Sequence, residues 1–326
     1  MTYPIQQLRR LRQKASLREL VSENRLNLHD LIMPIFATAG SDLRTPLPSI
    51  PEVDLLAGRS LQNEVESIWQ AGVPAVLLFG VLGKNLKDEE ARCAQQPDNP
   101  TCQALRSIKE KRPEMVVIAD LCLCEYTSHG HCGIVRDGHI DNDLTLKALA
   151  QAALAMARAG ADVIAPSGVM DGVVLTLRTL LDAEGLQRVA LMPYSAKYAS
   201  LFYGPFKVAS QSVPCISLHA THQLPVANQR EALRKIQVDI AEGADMVIIK
   251  PALTSLDILA MAKQQTQIPL AGYDVSGFYK MIYDSCGSDQ QARQAMMMEV
   301  LTCIKRAGAQ MIISYFARLR LACLVD

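Results

Sequence analysis

Eight short apolar runs that lack polar alternation punctuate the chain. This pattern predicts parallel strands buried on both faces. Helical patterns lie between most of the runs, as in NDLTLKALAQAALAMARAG and QARQAMMMEVLTCIKRAG. The runs are LIMPIF from Leu31, AVLLFG from Ala75, MVVIAD from Met115, ADVIAP from Ala161, RVALMPY from Arg188, ADMVIIKP from Ala244, IPLAGYDV from Ile268 and QMIISYF from Gln310.

Glycine marks the junctions between helix and strand, in AGVPAVLLF, AGADVIAP, EGADMVII and AGAQMIIS. A glycine there supplies the left-handed conformation that ends a helix. The alternation predicts an α/β fold, a (β/α)8 TIM barrel over residues 31–326 that follows an N-terminal arm over residues 1–30. A doubly wound open sheet is the competing architecture, and the lack of G-x-G-x-x-G after the first strand disfavours it.

Three polar segments are expected to be loops. Pro and Ser breaks predict a surface loop from Ser41 to Asp54, and another polar loop runs from Gly83 to Thr101. The segment from Lys207 to Ala227 is long enough to form an active-site lid.

Composition narrows the classes of protein and partner. The chain has 326 residues, 49% of them hydrophobic, and a net charge of zero, so nothing indicates nucleic acid or an anionic membrane. The basic N-terminal stretch lacks the apolar core of a signal peptide, and no run of about 18 apolar residues predicts a membrane span. We therefore expect a reducing, cytoplasmic setting, in which nine cysteines are thiols or metal ligands.

Two lysines, Lys197 in YSAKYASLFYGPF and Lys250 in ADMVIIKPA, stand at the ends of predicted buried strands. Burial should lower the pKa of each, and a neutral amine forms Schiff bases with carbonyls. A lysine that snorkels to the surface is the alternative for either one. Further polar residues follow the strands, where a barrel places its chemistry; they are Asp120, Ser167, Ser276 and Tyr315.

A candidate metal site lies just beyond the third run, in DLCLCEYTSHGHCG. Cys122, Cys124 and Cys132 form C-x-C-x7-C, and three thiolates suit Zn²⁺ with one position left for water or substrate. Three buried thiols without metal are the alternative. His129 and His131 flank Gly130, and we expect that turn to keep them out of the metal's first coordination sphere.

These residues resemble the porphobilinogen synthase family, also called 5-aminolevulinate dehydratase. The likeness extends over nearly the whole chain in the family's order. It is carried by SIPEV, PAVLLFGV, the cysteine segment, APSGVMDG, YSAKYASLFYGPF, ADMVIIKPA, GYDVSGFY and IKRAGAQMIISYFA.

The resemblance implies a barrel enzyme that condenses two 5-aminolevulinates into porphobilinogen with loss of two waters. Lys250 would hold the first, P-side substrate and Lys197 the second, A-side substrate. Ser276 and Tyr315 match residues that bind the P-side carboxylate, and the three cysteines match the zinc triad. Polar or aromatic residues expected to line the site are Asp120, which we group with the catalytic lysines, Ser167, Asp171, Tyr203, Phe206 and Gln223.

The family likeness also implies a homo-octamer whose arm embraces a neighbour, and it allows an allosteric Mg²⁺ near Glu231.

The lid departs from the family pattern. Lys207 stands where the family has Arg, and His219 and Ala220 replace the family's two basic lid residues. In the family, the Arg at the position of Lys207 and the lid Arg bind the A-side carboxylate. Losing a bidentate guanidinium is not conservative. Asp274 and Phe278 likewise stand where the family has Gln and Glu.

Three functions therefore compete at the level of sequence. The first is a porphobilinogen synthase whose altered lid uses Lys207 and His219. The second is a paralogue that condenses 5-aminolevulinate with another carbonyl or amine. The third is a non-catalytic relative, disfavoured because both lysines and the thiol triad are present. The sequence assigns no role to His129, His131 or His222.

Overall fold

The computed structural model describes residues 6–213 and 221–318. Its main sheet is a curled ring of parallel strands with helices on the outside, a (β/α)8 barrel. Hydrogen-bonded neighbours follow the order β10-β11-β12-β13-β1-β4-β5-β8-β9. The ring strands are β1 Leu31–Ala37, β4 Ala75–Gly80, β5 Val116–Leu121, β8 Val163–Pro166, β9 Ala190–Leu191, β10 Ala196–Lys197, β11 Val247–Lys250, β12 Leu270–Asp274 and β13 Met311–Ser314.

All eight predicted runs enter the barrel, but the fifth barrel strand is split into β9, which lies within the fifth run, and β10, which lies just beyond it. β9 pairs with β8, whereas β10 pairs with β11 on the other side. Pro193 lies between the two pieces, has no N–H to donate to a ladder, and accepts a bond from Ile248 N through its carbonyl at 2.9 Å. β9 and β10 therefore act as one broken strand that closes the ring.

The helices alternate with the strands, as the periodicity predicts. Four of the junction glycines, Gly72, Gly160, Gly243 and Gly308, have φ from 87° to 132°, which confirms the helix-ending role expected of them. The helices are α1 Ala15–Leu20, α2 Gly58–Gln70, α3 Pro100–Lys111, α4 Asn142–Arg158, α5 Val173–Ala183, α6 Gly204–Ala209, α7 Gln229–Ala241, α8 Leu256–Gln265, α9 Ser276–Cys286 and α10 Gln290–Ala307.

The segment from Ser41 to Asp54 is only partly a loop, so that prediction was wrong in part. β2 Asp42–Pro46 pairs antiparallel with β3 Asp54–Ala57, and β3 pairs with β1. All five residues of β2 are exposed, so the strand carries no apolar signal. A second small hairpin, β6 Ile134–Arg136 with β7 His139–Asp141, follows the cysteine segment.

Residues 6–30 contain a short 3₁₀ turn, Leu8–Arg12, and α1, neither of which has a buried residue. The arm over residues 1–30 stays a prediction. Among residues 6–213 and 221–318, no helix is long and apolar enough to cross a bilayer.

Candidate active site

Lys197 and Lys250 end adjacent strands of the barrel. They are register partners in the β10–β11 ladder, so their side chains point to the same face of the sheet. Both are buried, at 7% and 4% exposure, and both line one cavity at the carboxyl end of the barrel. Neither lysine snorkels to solvent, and the two amines share one enclosed space.

The Tyr194 ring lies beside both lysine amines. Its ring centroid lies 5.5 Å from Lys197 Nζ and 5.3 Å from Lys250 Nζ, so the nitrogens are separated by no more than the sum of these distances. Lys250 also lies 4.2 Å from the Tyr273 ring centroid. Rings on several sides leave the Lys250 amine poorly hydrated.

The two lysines differ in the charges around them, and their pKa values shift in opposite directions. Burial, together with the charge of Lys197, lowers the pKa of Lys250 to about 7. Burial also lowers the pKa of Lys197, but the thiols of Cys132, Cys122 and Cys124 and the Asp120 carboxyl raise it more, and its net shift is upward. The prediction that both pKa values fall is correct for Lys250 and wrong for Lys197, because three thiols and the Asp120 carboxyl lie near Lys197 and favour its charged form.

Asp120 and Ser167 surround the Lys197 amine. Lys197 Nζ donates to the Ser167 carbonyl at 2.6 Å, and Ser167 Oγ donates to Asp120 Oδ2 at 3.1 Å. Asp120 is buried, and burial and the nearby Cys122 thiol raise its pKa to about 7. A carboxyl group of this pKa can both donate and accept a proton near neutral pH.

Cys122, Cys124 and Cys132 form a buried thiol cluster beside the lysines. Their sulfurs lie within 4.8 Å of one another, and the Cys122 and Cys124 sulfurs are 3.0 Å apart. Hydrogen bonds from Cys122 and Cys124 hold the pKa of Cys132 well below its ordinary value. Three convergent sulfurs, one of them readily ionised, fit a tetrahedral thiophilic ion.

The His129–Gly130–His131 turn lies next to this cluster. Gly130 has φ of 72° and lines the cavity, in agreement with the tight turn expected there. His129 Nδ1 accepts a bond from His131 N at 3.1 Å, and the His131 side chain is fully buried. Within the described residues, neither histidine joins the three sulfurs as a candidate metal ligand.

The cavity between lysines and thiols measures about 30 Å³. A cavity of that size has room for only about two waters, so side chains must separate before two substrates enter. Its lining includes Tyr203, Phe206, Lys207 and Gln223, all named from the sequence. Two residues near the lysines were not predicted from the sequence. Ser212 also lines the cavity. Tyr194 could have been predicted from its position three residues before Lys197.

Ser276 and Tyr315 lie one layer away from the cavity. Ser276 Oγ accepts a bond from Phe206 N at 3.0 Å, and the Tyr315 and Tyr273 hydroxyl oxygens are 3.5 Å apart. Each therefore contacts a residue whose ring faces Lys250.

Other named residues fall elsewhere. Asp171, His222 and Glu231 line a neighbouring cavity of about 580 Å³, so Asp171 does not line the lysine cavity as expected. The two cavities share Gln223. His219 and Ala220 lie outside the described residues, whereas the start of the predicted lid, Lys207 to Ala209, belongs to α6.

Comparisons with known proteins agree on one family. The family model "Delta-aminolevulinic acid dehydratase" matches residues 5–322. Curated proteins of that name from Halalkalibacterium halodurans and Bacillus subtilis are each 44% identical over 310 residues, 95% of this chain and 94% and 95% of theirs. A crystal structure of the Toxoplasma gondii enzyme in complex with its product porphobilinogen has a TM-score of 0.95 at 37% identity, covering 99% of this chain and 92% of that one.

Proposed function

We propose that this chain, which belongs to the delta-aminolevulinic acid dehydratase family, is a porphobilinogen synthase that acts as a hydro-lyase. It condenses two 5-aminolevulinates into porphobilinogen and releases two waters, a step of tetrapyrrole and heme biosynthesis. The observation that carries the proposal is the pair of buried lysines that share one cavity and one aromatic ring beside a thiol cluster.

Lys250 forms the first Schiff base in this scheme. Its pKa of about 7 leaves a large neutral fraction at physiological pH, and that amine attacks the ketone carbon of the P-side substrate. The carbinolamine then loses water to give an imine. Ser276 and Tyr315, one layer beyond Phe206 and Tyr273, bind the P-side carboxylate after the cavity opens.

Lys197 holds the second substrate as an imine. The Ser167 carbonyl positions its amine, and Asp120, which is bonded to the Ser167 hydroxyl, would take up and return the protons that imine formation and ring closure require. Holding two substrates side by side removes much of the entropic barrier to forming the C–C and C–N bonds.

Cys122, Cys124 and Cys132 would hold a zinc ion. When bound, the ion polarises a carbonyl or lowers the pKa of a bound water. The close approach of three buried sulfurs supports this assignment over three inert thiols.

Lys207 and Gln223 line the same cavity, as do Tyr203 and Phe206. In this proposal these four residues and His219 bind the A-side substrate. Lys207 is half-buried, and burial lowers its pKa, so a substrate carboxylate would stabilise its charged form.

We further propose that the protein is a cytoplasmic homo-octamer and that Mg²⁺ binds near Glu231 as an allosteric ion.

A turnover assay with 5-aminolevulinate as sole substrate tests the function. We expect an Ehrlich-positive pyrrole from the wild-type protein and none from Lys250→Met or Lys197→Met variants that keep the wild-type melting temperature. No pyrrole despite a borohydride-trapped adduct on Lys250 would favour a different A-side partner. Absence of any adduct would favour a non-catalytic relative.

A further inference from the structure

Lys87 follows the barrel strand β4 and lies on the active-site side of the barrel. It caps the 3₁₀ turn Lys84–Leu86, and its side chain is half-buried. Among the described residues it has no carboxylate partner within ion-pair distance. Its ammonium instead donates to the Gln211 carbonyl at 2.7 Å, across 124 positions of sequence. A hydrogen bond from an ammonium is stronger than one between neutral groups, so this bond restrains the backbone at Gln211.

Hydrogen bonds also hold the backbone of the loop that carries Lys87. Asp88 Oδ1 accepts bonds from Glu90 N at 2.8 Å and Arg92 N at 3.2 Å. The Asp88 carbonyl accepts from Ser128 N at 2.9 Å, which ties this loop to the cysteine segment. Lys87 therefore contacts Gln211 from a hydrogen-bonded loop that is attached to the cysteine segment.

The turn that Lys87 contacts is unusual for its residue types. Gln211 has φ of 52°, a left-handed conformation that costs a non-glycine residue free energy and needs support from its surroundings. Ser210 and Ser212 are buried, and their hydroxyl oxygens are 2.6 Å apart. Ser212 N donates to the Lys207 carbonyl at 2.9 Å, which links the turn to α6.

The same turn places two side chains at the cavity. Ser212 and Lys207 both line it, one on each side of Gln211 in the chain. We infer that Lys87 is a positioning residue for the second substrate, because its bond to the Gln211 carbonyl holds the turn that presents Lys207 and Ser212 to the cavity. This inference rests on the proposed function for its kinetic consequences and on the structure alone for the turn.

Lys87→Met tests the inference, because it removes the donor while keeping an unbranched chain of similar length. Lys87→Arg restores a donor. Lys84→Met is the matched control, since Lys84 is exposed, lies three residues away and loses the same charge.

We expect Lys87→Met to raise KM for 5-aminolevulinate about five- to tenfold and to change kcat less than twofold. Trapping of the first substrate on Lys250 should stay within twofold of wild type, because Lys87 acts on the other substrate. Lys87→Arg should recover most of the KM change, and Lys84→Met should behave as wild type.

Hydrogen exchange supplies a readout that does not depend on turnover. Amides of residues 207–213 should exchange faster in Lys87→Met than in wild type or in Lys84→Met. Unchanged exchange there, a KM within twofold of wild type, or an equal effect of Lys84→Met would overturn the inference. Absence of pyrrole from the wild-type protein would refute the proposed function instead, while the exchange comparison would still test the turn.

Discussion

The ionisation of Lys250 gives a quantitative prediction. Its pKa of about 7 lies well below the ordinary value of 10.5, a difference of about 5 kcal/mol between the two protonation states. At pH 7 about half of the Lys250 amines are neutral, against about one in 3,000 for an ordinary lysine. Imine formation with 5-aminolevulinate should therefore rise with pH and level off above neutrality.

Rapid mixing followed by borohydride reduction at one fixed pH separates imine formation from the reduction step. The protein is exposed to substrate between pH 5.5 and 9.5, quenched, and the adduct on the Lys250 peptide is counted by mass spectrometry. We expect a midpoint near pH 7. In Lys197→Met the midpoint should move upward, because the charge of Lys197 lowers the pKa of Lys250. A wild-type midpoint above pH 9 would refute the argument from burial and like charge.

Three further outcomes follow from individual side chains. Burial raises the pKa of Asp274 from 3.8 to about 7. Between pH 4 and pH 7 the unfolded carboxyl therefore ionises while the folded one stays neutral. The free energy of unfolding should fall by up to about 4 kcal/mol over that range. Asp274→Asn should gain stability over wild type across that range in urea titrations, and a pH-independent difference would contradict this. Lys207→Arg should lower KM for 5-aminolevulinate about three- to tenfold through bidentate carboxylate binding, and a raised KM would argue against Lys207 as a substrate ligand. Chelation should abolish turnover and added zinc restore it, while Cys124→Ser should lose bound zinc on metal analysis; full activity of metal-free protein would rule out the thiol site.

The barrel could be read from the sequence because its strands are buried on both faces. That burial leaves unbroken apolar runs such as AVLLFG, and each run became a strand. The exposed strand β2 carries no such signal, because its pairing depends on the backbone of β3 and not on apolar side chains. The split of the fifth strand could be anticipated only from Pro193.

The candidate site was predictable in its residues more than in its electrostatics. Strand ends place Lys197 and Lys250 at one rim whatever the details of packing. The upward pKa shift of Lys197 arises from the thiols of a separate loop, a proximity that spacing alone does not show. The contact between Lys87 and Gln211 joins two loops in the same way, and only the fold brings them together.

Peptide mapping of protein reduced with borohydride in the presence of 5-aminolevulinate shows whether the two buried lysines bind substrate covalently. We expect a covalent adduct on Lys250 first and a second on Lys197 only when more substrate is present. Adducts confined to exposed lysines such as Lys84, with none on Lys250 or Lys197, would contradict the proposed roles of both residues.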